Sequence, residues 1–401
     1  RKIKVIGVTG TSGKTTITRM IGKILEEAGY KTAVLSSIEI KIGEKIEENK
    51  MKMTMPGRMA IQKFLRQAVE NSCQYAVLEV TSEGIKQHRH RFIKFDVAVL
   101  SNLSPEHIEA HKGFENYKKA KGRLFKSTKS IHILNLDDKN AQYFLSFSAK
   151  KKYGFRIKNK NKFKGIKIIE AKDISLLEKG VSFKINDYLF EIPLLGEFNV
   201  YNILAAITVG ISQGIDLEAI REALRKVKGV PGRMEIVVNQ PFKAVVDYAH
   251  TPTALKNVYQ TIKGFGNAGK MICVLGACGG GRDKWKRPVL GKIAAENCQK
   301  VIITNEDPYD DDPWEIIEQV SQGAEDAGLK PEKLLDRKEA IKKALLSANP
   351  GDVVVITGKG SEPWMCLEGG RKVPWDDRRI VRDIVKELSA GNNNSPNLFN
   401  I

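Results

Sequence analysis

The sequence predicts an α/β protein: a parallel-sheet domain entered through a phosphate-binding P-loop and carrying a small β add-on, then a Rossmann-like C-terminal α/β domain. Three observations predict it. Apolar strand-like runs alternate with amphipathic stretches over residues 3–135, the pattern of a parallel sheet covered by helices. The first run leads directly into a glycine turn, Thr9-Gly10-Thr11-Ser12-Gly13-Lys14-Thr15-Thr16. A break at Val227–Arg233, containing Gly229, Pro231 and Gly232, precedes a second alternation.

The opening segment is the most specific. Val5, Ile6 and Val8 read as a strand, and Ile17, Met20, Ile21, Ile24 and Leu25 recur at helical spacing behind the turn. Backbone N–H groups of such a turn, with a helix N-terminus behind it, cradle an anion. Lys14 would reach the β- and γ-phosphates and the Thr15 hydroxyl would meet Mg²⁺. The general P-loop spacing places a glycine at position 8, where this chain has Val8; the loop is the shorter Gly-x-x-Gly-Lys-Thr-Thr form.

Further strands are expected at 32–37, 74–80, 96–101 and 131–135. Gly165–Ile169, Val181–Ile185 and Tyr188–Ile192 suggest an antiparallel add-on. Helices follow from Asn199 and over Leu217–Val227. Beyond the break, strands are expected near 243–247, 271–275, 300–304 and 353–357. The expected domains are 1–229 for ATP binding and 230–389 for the C-terminal unit, with 390–401 as a flexible tail.

Composition narrows the class. No apolar run approaches the ~20 residues of a membrane span, and no signal-peptide pattern opens the chain. Five cysteines without a CxxC pair suggest a reduced cytoplasmic protein. The net charge of +19 is spread along the chain, and Lys-rich segments such as 149–167 lack aromatic or Arg interleaving. That argues against nucleic acid and for a solvated surface attracting polyanionic substrates.

Other constellations lie at strand ends. Glu79 closes a predicted strand, where ligands gather in open α/β sheets, and it could hold the Mg²⁺ that Thr15 touches. Ser101-Asn102-Leu103-Ser104-Pro105-Glu106-His107 follows another strand, with His107 a metal ligand or a cap. Tyr117 to Phe125 is, alone, a basic amphipathic helix.

Together with Gly196-Glu197-Phe198-Asn199-Val200-Tyr201-Asn202, Pro231-Gly232-Arg233-Met234-Glu235, Val246-Asp247-Tyr248-Ala249-His250 and Gly276 to Pro288, these motifs resemble the Mur ligase superfamily, most nearly its MurE branch. The resemblance covers residues 3 to about 387. It implies an ATP-dependent amide ligase that forms an acyl phosphate on an acceptor carboxylate, which an amine then attacks. It implies nucleotide contacts at Gly10, Thr11, Ser12, Gly13, Lys14, Thr15, Thr16, Asn199, Asn202, Arg233, Asp247 and His250, with ATP at the domain interface. Mg²⁺ would be held by Thr15 and Glu79, and a second by His107 beside Lys121. Lys121 would be carbamylated, or else an unmodified phosphate-binding lysine. Lys14, His107 and Lys121 are thus the implied catalytic residues. Thr54, Pro56, Ser82, Gln87 and Arg89 match acceptor contacts, and Asp307 and Glu362 amino-acid contacts. Arg282, Asp283, Lys284 and Arg287 would serve ligands or interdomain contacts.

Departures sharpen the expectation. Glu83 replaces a family His. The Asp-Asn-Pro-Arg signature reads Glu306-Asp307-Pro308-Tyr309 within Asn305–Pro313, so the Arg for a second carboxylate is gone and acids crowd the loop. This suggests L-lysine over meso-diaminopimelate, unless the acids are merely solvated. The family's N-terminal UDP-gripping domain is not in this sequence, so the expectation is a monomeric enzyme, or one whose missing domain a partner supplies. Alternatives are a Mur-like ligase of pseudomurein, cyanophycin or folylpolyglutamate type, a non-catalytic subunit, or a P-loop kinase.

Overall fold

A computed structural model describes residues 3–266 and 269–390. Of the expected tail, 390–401, Ala390 closes a helix and the rest, from 391 onward, lies outside the described residues. The chain divides into two compact units, Arg1–Lys228 and Gly229–Ile401.

In the first unit, β1 (Lys4–Thr9), β2 (Thr32–Leu35), β3 (Glu39–Ile42), β4 (Lys45–Glu48), β5 (Tyr75–Glu79), β6 (Val97–Leu100), β7 (Ile131–Asn135), β8 (Lys151–Arg156) and β9 (Lys167–Glu170) form one sheet. Its order is β4-β3-β2-β5-β1-β6-β7-β8-β9. From β2 to β9 the pairing is parallel, and β3 and β4 add an antiparallel hairpin at one edge. Helices α1 (Lys14–Glu27), α2 (Arg58–Glu70), α3 (Ser82–Lys86), α4 (Ile108–His111), α5 (Phe114–Ser127), α6 (Ala141–Leu145), α7 (Glu197–Ser212) and α8 (Leu217–Arg225) complete it. β1 is buried on both faces, as expected of a central parallel strand. The predicted stripe Ile17, Met20, Ile21, Ile24 and Leu25 is the buried face of α1. α7 is apolar nearly all round and is buried accordingly.

The small antiparallel sheet consists of β10 (Lys172–Leu177), β11 (Gly180–Ile185) and β12 (Tyr188–Ile192). This corrects one expectation: Gly165–Ile169 does not join it. That stretch instead contributes to β9, parallel to β8. β8 itself lies in the Lys-rich segment, where Tyr153 and Phe155 point inward while Lys151 stays in water.

In the second unit, β13 (Glu235–Val238), β14 (Lys243–Asp247), β15 (Met271–Leu275), β16 (Lys300–Thr304), β17 (Glu332–Leu334) and β18 (Val353–Thr357) run in the order β13-β14-β18-β15-β16-β17. All pairs are parallel except β13 with β14. α9 (Pro252–Lys263), α10 (Lys286–Asn297), α11 (Pro313–Asp326), α12 (Arg337–Leu346) and α13 (Asp377–Ala390) surround the sheet, and β19 (Trp364–Cys366) pairs with β20 (Lys372–Pro374). Val246, Ile272, Val274, Ile302, Val354 and Ile356 centre the core. The expectation of uniformly reduced cysteines is also corrected. Cys273 on β15 and Cys298 after α10 form a disulfide, their Cα atoms 6.1 Å apart. The chain returns from α10 beside β15, so a 25-residue separation hides a pair within bridging reach. Cys73, Cys278 and Cys366 remain thiols.

Candidate active site

The phosphate loop is built by close approach. Gly10 and Gly13 take φ of +152° and +83°, and a Cβ there would lie 1.9 Å from Ser101 Oγ and 2.2 Å from Asn202 Oδ1. Only glycine fits such positions. Ser101 Oγ donates to the Ser12 carbonyl at 2.6 Å, and Ser12 N donates to Asn102 Oδ1 at 3.0 Å. Lys14 Nζ curls back onto the Gly10 and Thr11 carbonyls at 3.1 and 2.9 Å. Gly13 is the N-cap of α1 and supplies no side-chain cap, so the helix start suits an anion. Thr15 and Thr16 form its buried first turn. α7 brings Asn202 onto this loop, and Asn202 Nδ2 donates to Asn199 Oδ1 at 2.8 Å.

Glu79 ends β5 beside Val8 of β1. It is buried, and its oxygens accept from Ser37 N at 2.8 Å and Ser37 Oγ at 3.2 Å. Ser37 Oγ also meets Thr54 Oγ1 at 2.8 Å, which ties the Thr54–Pro56 loop to the carboxylate. Arg89 bonds both the Met55 carbonyl and Gln87 Oε1. Ser82 is buried in the first turn of α3, behind the Thr81 cap. Thr54, Gln87 and Arg89 are therefore linked around one loop, and Ser37 is a member that sequence reasoning missed. Its position after β2, at the same sheet edge as Glu79, is the signal.

Lys121 is buried on α5, and its Nζ donates to the Gly10 carbonyl at 2.8 Å. Burial holds its amine well below the usual lysine range; Lys14 pushes the same way and Glu106 opposes. The amine lies 4.7 Å above the Tyr117 ring, and Tyr117 Oη meets Thr11 Oγ1 at 2.9 Å. The His107 ring is 6.3 Å from Tyr117. Glu83, the departure from the family pattern, lies 3.0 Å from Nε2 of the buried His111. Among the described residues, no three His, Cys, Asp or Glu side chains gather as a cation cage. A Thr hydroxyl and one carboxylate nevertheless match the sparse protein donor set of Mg²⁺, which keeps waters and substrate phosphates.

In the second unit, Gly232 takes φ +64° against the Ser361 backbone. Arg233 stacks 4.2 Å over Tyr248. The buried Asp247 accepts from Met234 N at 2.7 Å and Ala249 N at 2.6 Å. Burial raises its pKa, against Arg233 and those two amides. His250 Nδ1 bonds the Tyr248 carbonyl at 2.8 Å, and burial, with Lys286 and Arg282, lowers its pKa to about 3. Tyr248 Oη donates to Glu362 Oε1 at 3.1 Å. The acids of the Asn305–Pro313 loop have internal work. Asp310 accepts from Gly369 N, Asp311 pairs with the buried Arg287, and Asp312 caps α11. Asp310 and Asp312 are nonetheless exposed, in line with the solvated reading, whereas Arg287 is buried. Asp307 and Glu362 meet on the buried Lys359.

Residues 8–210 match the Mur ligase middle domain, and residues 232–360 match the Mur ligase, glutamate ligase domain. A UDP-N-acetylmuramoyl-L-alanyl-D-glutamate--2,6-diaminopimelate ligase of Syntrophomonas wolfei is 36% identical over 400 residues, covering 96% of this chain and 79% of that one. The ligase of the same name from Clostridium tetani is 37% identical, at 96% and 78% coverage. A solved structure of a ligase with that name aligns with a TM-score of 0.63 at 32% identity, covering 97% of this chain and 79% of that one. A pseudomurein peptide ligase type C from Methanothermus fervidus shares the fold, with a TM-score of 0.70 at 22% identity and coverage of 96% and 79%. The chain belongs to the Mur ligase family, as an ATP-dependent, MurE-like acid–amino-acid ligase.

Proposed function

We propose that this enzyme joins a diamino acid to a UDP-N-acetylmuramoyl-dipeptide-type acceptor in the cytoplasm, as a step of cell-wall precursor synthesis. We read 1–229 as the ATP-binding domain and 230–389 as the C-terminal ligase domain. The observation that carries the reading is convergence on one loop: Lys14, Lys121 and Asn202 all meet Gly10–Gly13, with Glu79 on the adjacent strand.

ATP supplies the phosphoryl group for an acyl phosphate on the acceptor carboxylate. Phosphoryl transfer needs positioning and charge neutralisation more than covalent help. Lys14 supplies the cation at the phosphates. Thr15 and Glu79 would hold Mg²⁺, which adds neutralising charge, and His107 with a carbamylated Lys121 would hold a second ion. The depressed Lys121 amine is suited to that modification: the neutral amine adds to CO₂, giving a carbamate and releasing one proton. The Thr54–Pro56 loop with Ser82, Gln87 and Arg89 would hold the acceptor. Arg233, Asp247 and His250 would serve the nucleotide.

The curated relatives named for 2,6-diaminopimelate support that amino acid. The case for L-lysine rests on the missing Arg and on the acids, of which Asp307 and Glu362 are already held by Lys359. Arg378 does not replace the missing Arg, since it pairs with Asp376 and Glu235. ADP release should depend on both acceptor and diamino acid. ADP release without an amine would indicate a kinase instead.

A further inference from the structure

In the first unit, a cavity of about 620 Å³ shares no residue with the phosphate loop or the acceptor loop. The end of α6, strand β8 and the 157–166 connection wall it. Two kinds of side chain meet there. Leu145, Phe163 and Ile166 supply an apolar lining, and the first two pack against the core of the unit. Lys152, Lys162 and Lys164 supply positive charge, and no carboxylate lines the cavity. Acids close by in the chain are engaged elsewhere. Glu170 pairs with Arg156 and Lys160, and Asp137 accepts from the amides of Ile157, Lys158 and Asn159. Lys152 Nζ donates to the Leu145 carbonyl at 2.6 Å, which uses one of its three protons. Lys162 and Lys164 are exposed on either side of Phe163. That ring is half-buried against the core, so it serves the cavity and is no outward platform for stacking bases.

The connection is held in shape. Besides its three amides, Asp137 accepts from Tyr201 Oη of α7 at 3.0 Å. Asn159 Oδ1 accepts from Asn161 N at 2.8 Å, and Arg156 Nη1 donates to the Asn161 carbonyl at 2.8 Å. A wall fastened in this way spares a ligand part of the ordering cost.

We infer that this cavity is a binding site for a small amphipathic anion: an aromatic or short acyl body bearing a carboxylate, phosphate or sulfonate. An apolar lining with a few placed charges is the usual build of a small-ligand site, and such sites span roughly 300–1,000 Å³. The lysines meet the anionic group while Leu145, Phe163 and Ile166 take the apolar body. The cavity is separate from the proposed ligase site, so either assignment can fail without the other.

Anilinonaphthalene sulfonate, an aromatic anion, is the probe, read by its fluorescence. The wild type should bind it at one saturable site. Lys162→Glu/Lys164→Glu should weaken that binding at least tenfold, and Phe163→Ser at least threefold. Lys172→Glu/Lys179→Glu, which reverses two exposed lysines at and beside β10, should leave it unchanged. Naphthoate should displace the probe, whereas inorganic phosphate and neutral naphthalenemethanol at the same concentration should not. If Phe163→Ser fails to fold, the lysine variants and the competitors decide. Equal loss in the two lysine variants, displacement by phosphate, or binding indifferent to Lys162→Glu/Lys164→Glu overturns the site. Displacement by poly(U) but not by naphthoate overturns it as well, in favour of a nucleic-acid face.

Discussion

Lys121 Nζ donates to the carbonyl of Gly10, 111 residues earlier in the chain, and so anchors α5 to the phosphate loop. Removing that side chain takes away both the bond and the group proposed for carbamylation. Lys121→Ala should lose at least about a hundredfold in kcat, the usual scale for one electrostatic group at a reacting centre. Short-chain carboxylates should restore part of the rate. Full activity of the variant in bicarbonate-free buffer is the outcome that rules the role out.

Lys14 is the nearer cation of the loop. Lys14→Ala should abolish ADP formation while leaving the melting temperature nearly unchanged, since its bonds to Gly10 and Thr11 are made at the partly exposed loop. Near-normal ADP production would remove the phosphate-binding assignment.

Gly13 and Asn202 offer a double-mutant cycle. Gly13→Ala meets two costs: a left-handed φ of +83° and a Cβ 2.2 Å from Asn202 Oδ1. The backbone term is about 1 kcal/mol, and overpacking adds about 1–3 kcal/mol. Gly13→Ala/Asn202→Ala should recover the second part but not the first. Urea unfolding of the four proteins reads this directly; simple additivity would show that the two sites do not touch.

His250 makes a pH prediction. Its folded-state pKa, about 3, lies below the ordinary 6.5, so between those values the unfolded chain binds a proton that the folded chain refuses. Stability should therefore fall as pH drops from 6.5 towards 3. His250→Gln should lose less over the same range, by about 1 kcal/mol or more; the ring is only partly buried, so the full shift is discounted. Denaturant titrations at pH 7 and pH 4.5 provide the comparison.

Arg337 and Asp377 form a fully buried, two-bonded ion pair, at 2.9 and 2.7 Å. Asp377→Asn or Arg337→Met alone leaves one charge uncompensated and should cost about 3–5 kcal/mol. Arg337→Met/Asp377→Asn should cost less than the sum of the two single changes. Chemical denaturation of all four proteins measures the coupling.

The parts legible in the sequence were those where period and punctuation agree. β1, the glycine turn and the stripe of α1 follow from local pattern alone, and Glu79 from its place at a strand end. The β3–β4 hairpin was not seen because β3 is only half-buried, β4 is exposed and neither contains an apolar run, although Gly43-Glu44 between alternating residues marks the turn. The burial of Lys359 escaped for another reason. Its partner Asp307 lies 52 residues away. Only tertiary packing buries it. The Cys273–Cys298 bridge was missed on the same ground.

The hairpin that escaped the sequence bears on how the protein behaves in a crowded solution. β4 is the outermost strand at one edge of the large sheet, four residues long and exposed throughout. An outer strand carries backbone groups that a neighbouring molecule could zip onto, and short length and charge are the common defences. Here Lys45, Glu47 and Glu48 supply that charge, and Ile46 is its one apolar residue. The rim thus works as a colloidal guard: charge reversal at Lys45 would be tolerated, whereas two valines at Lys45 and Glu47 would turn it into a seed for insoluble protein.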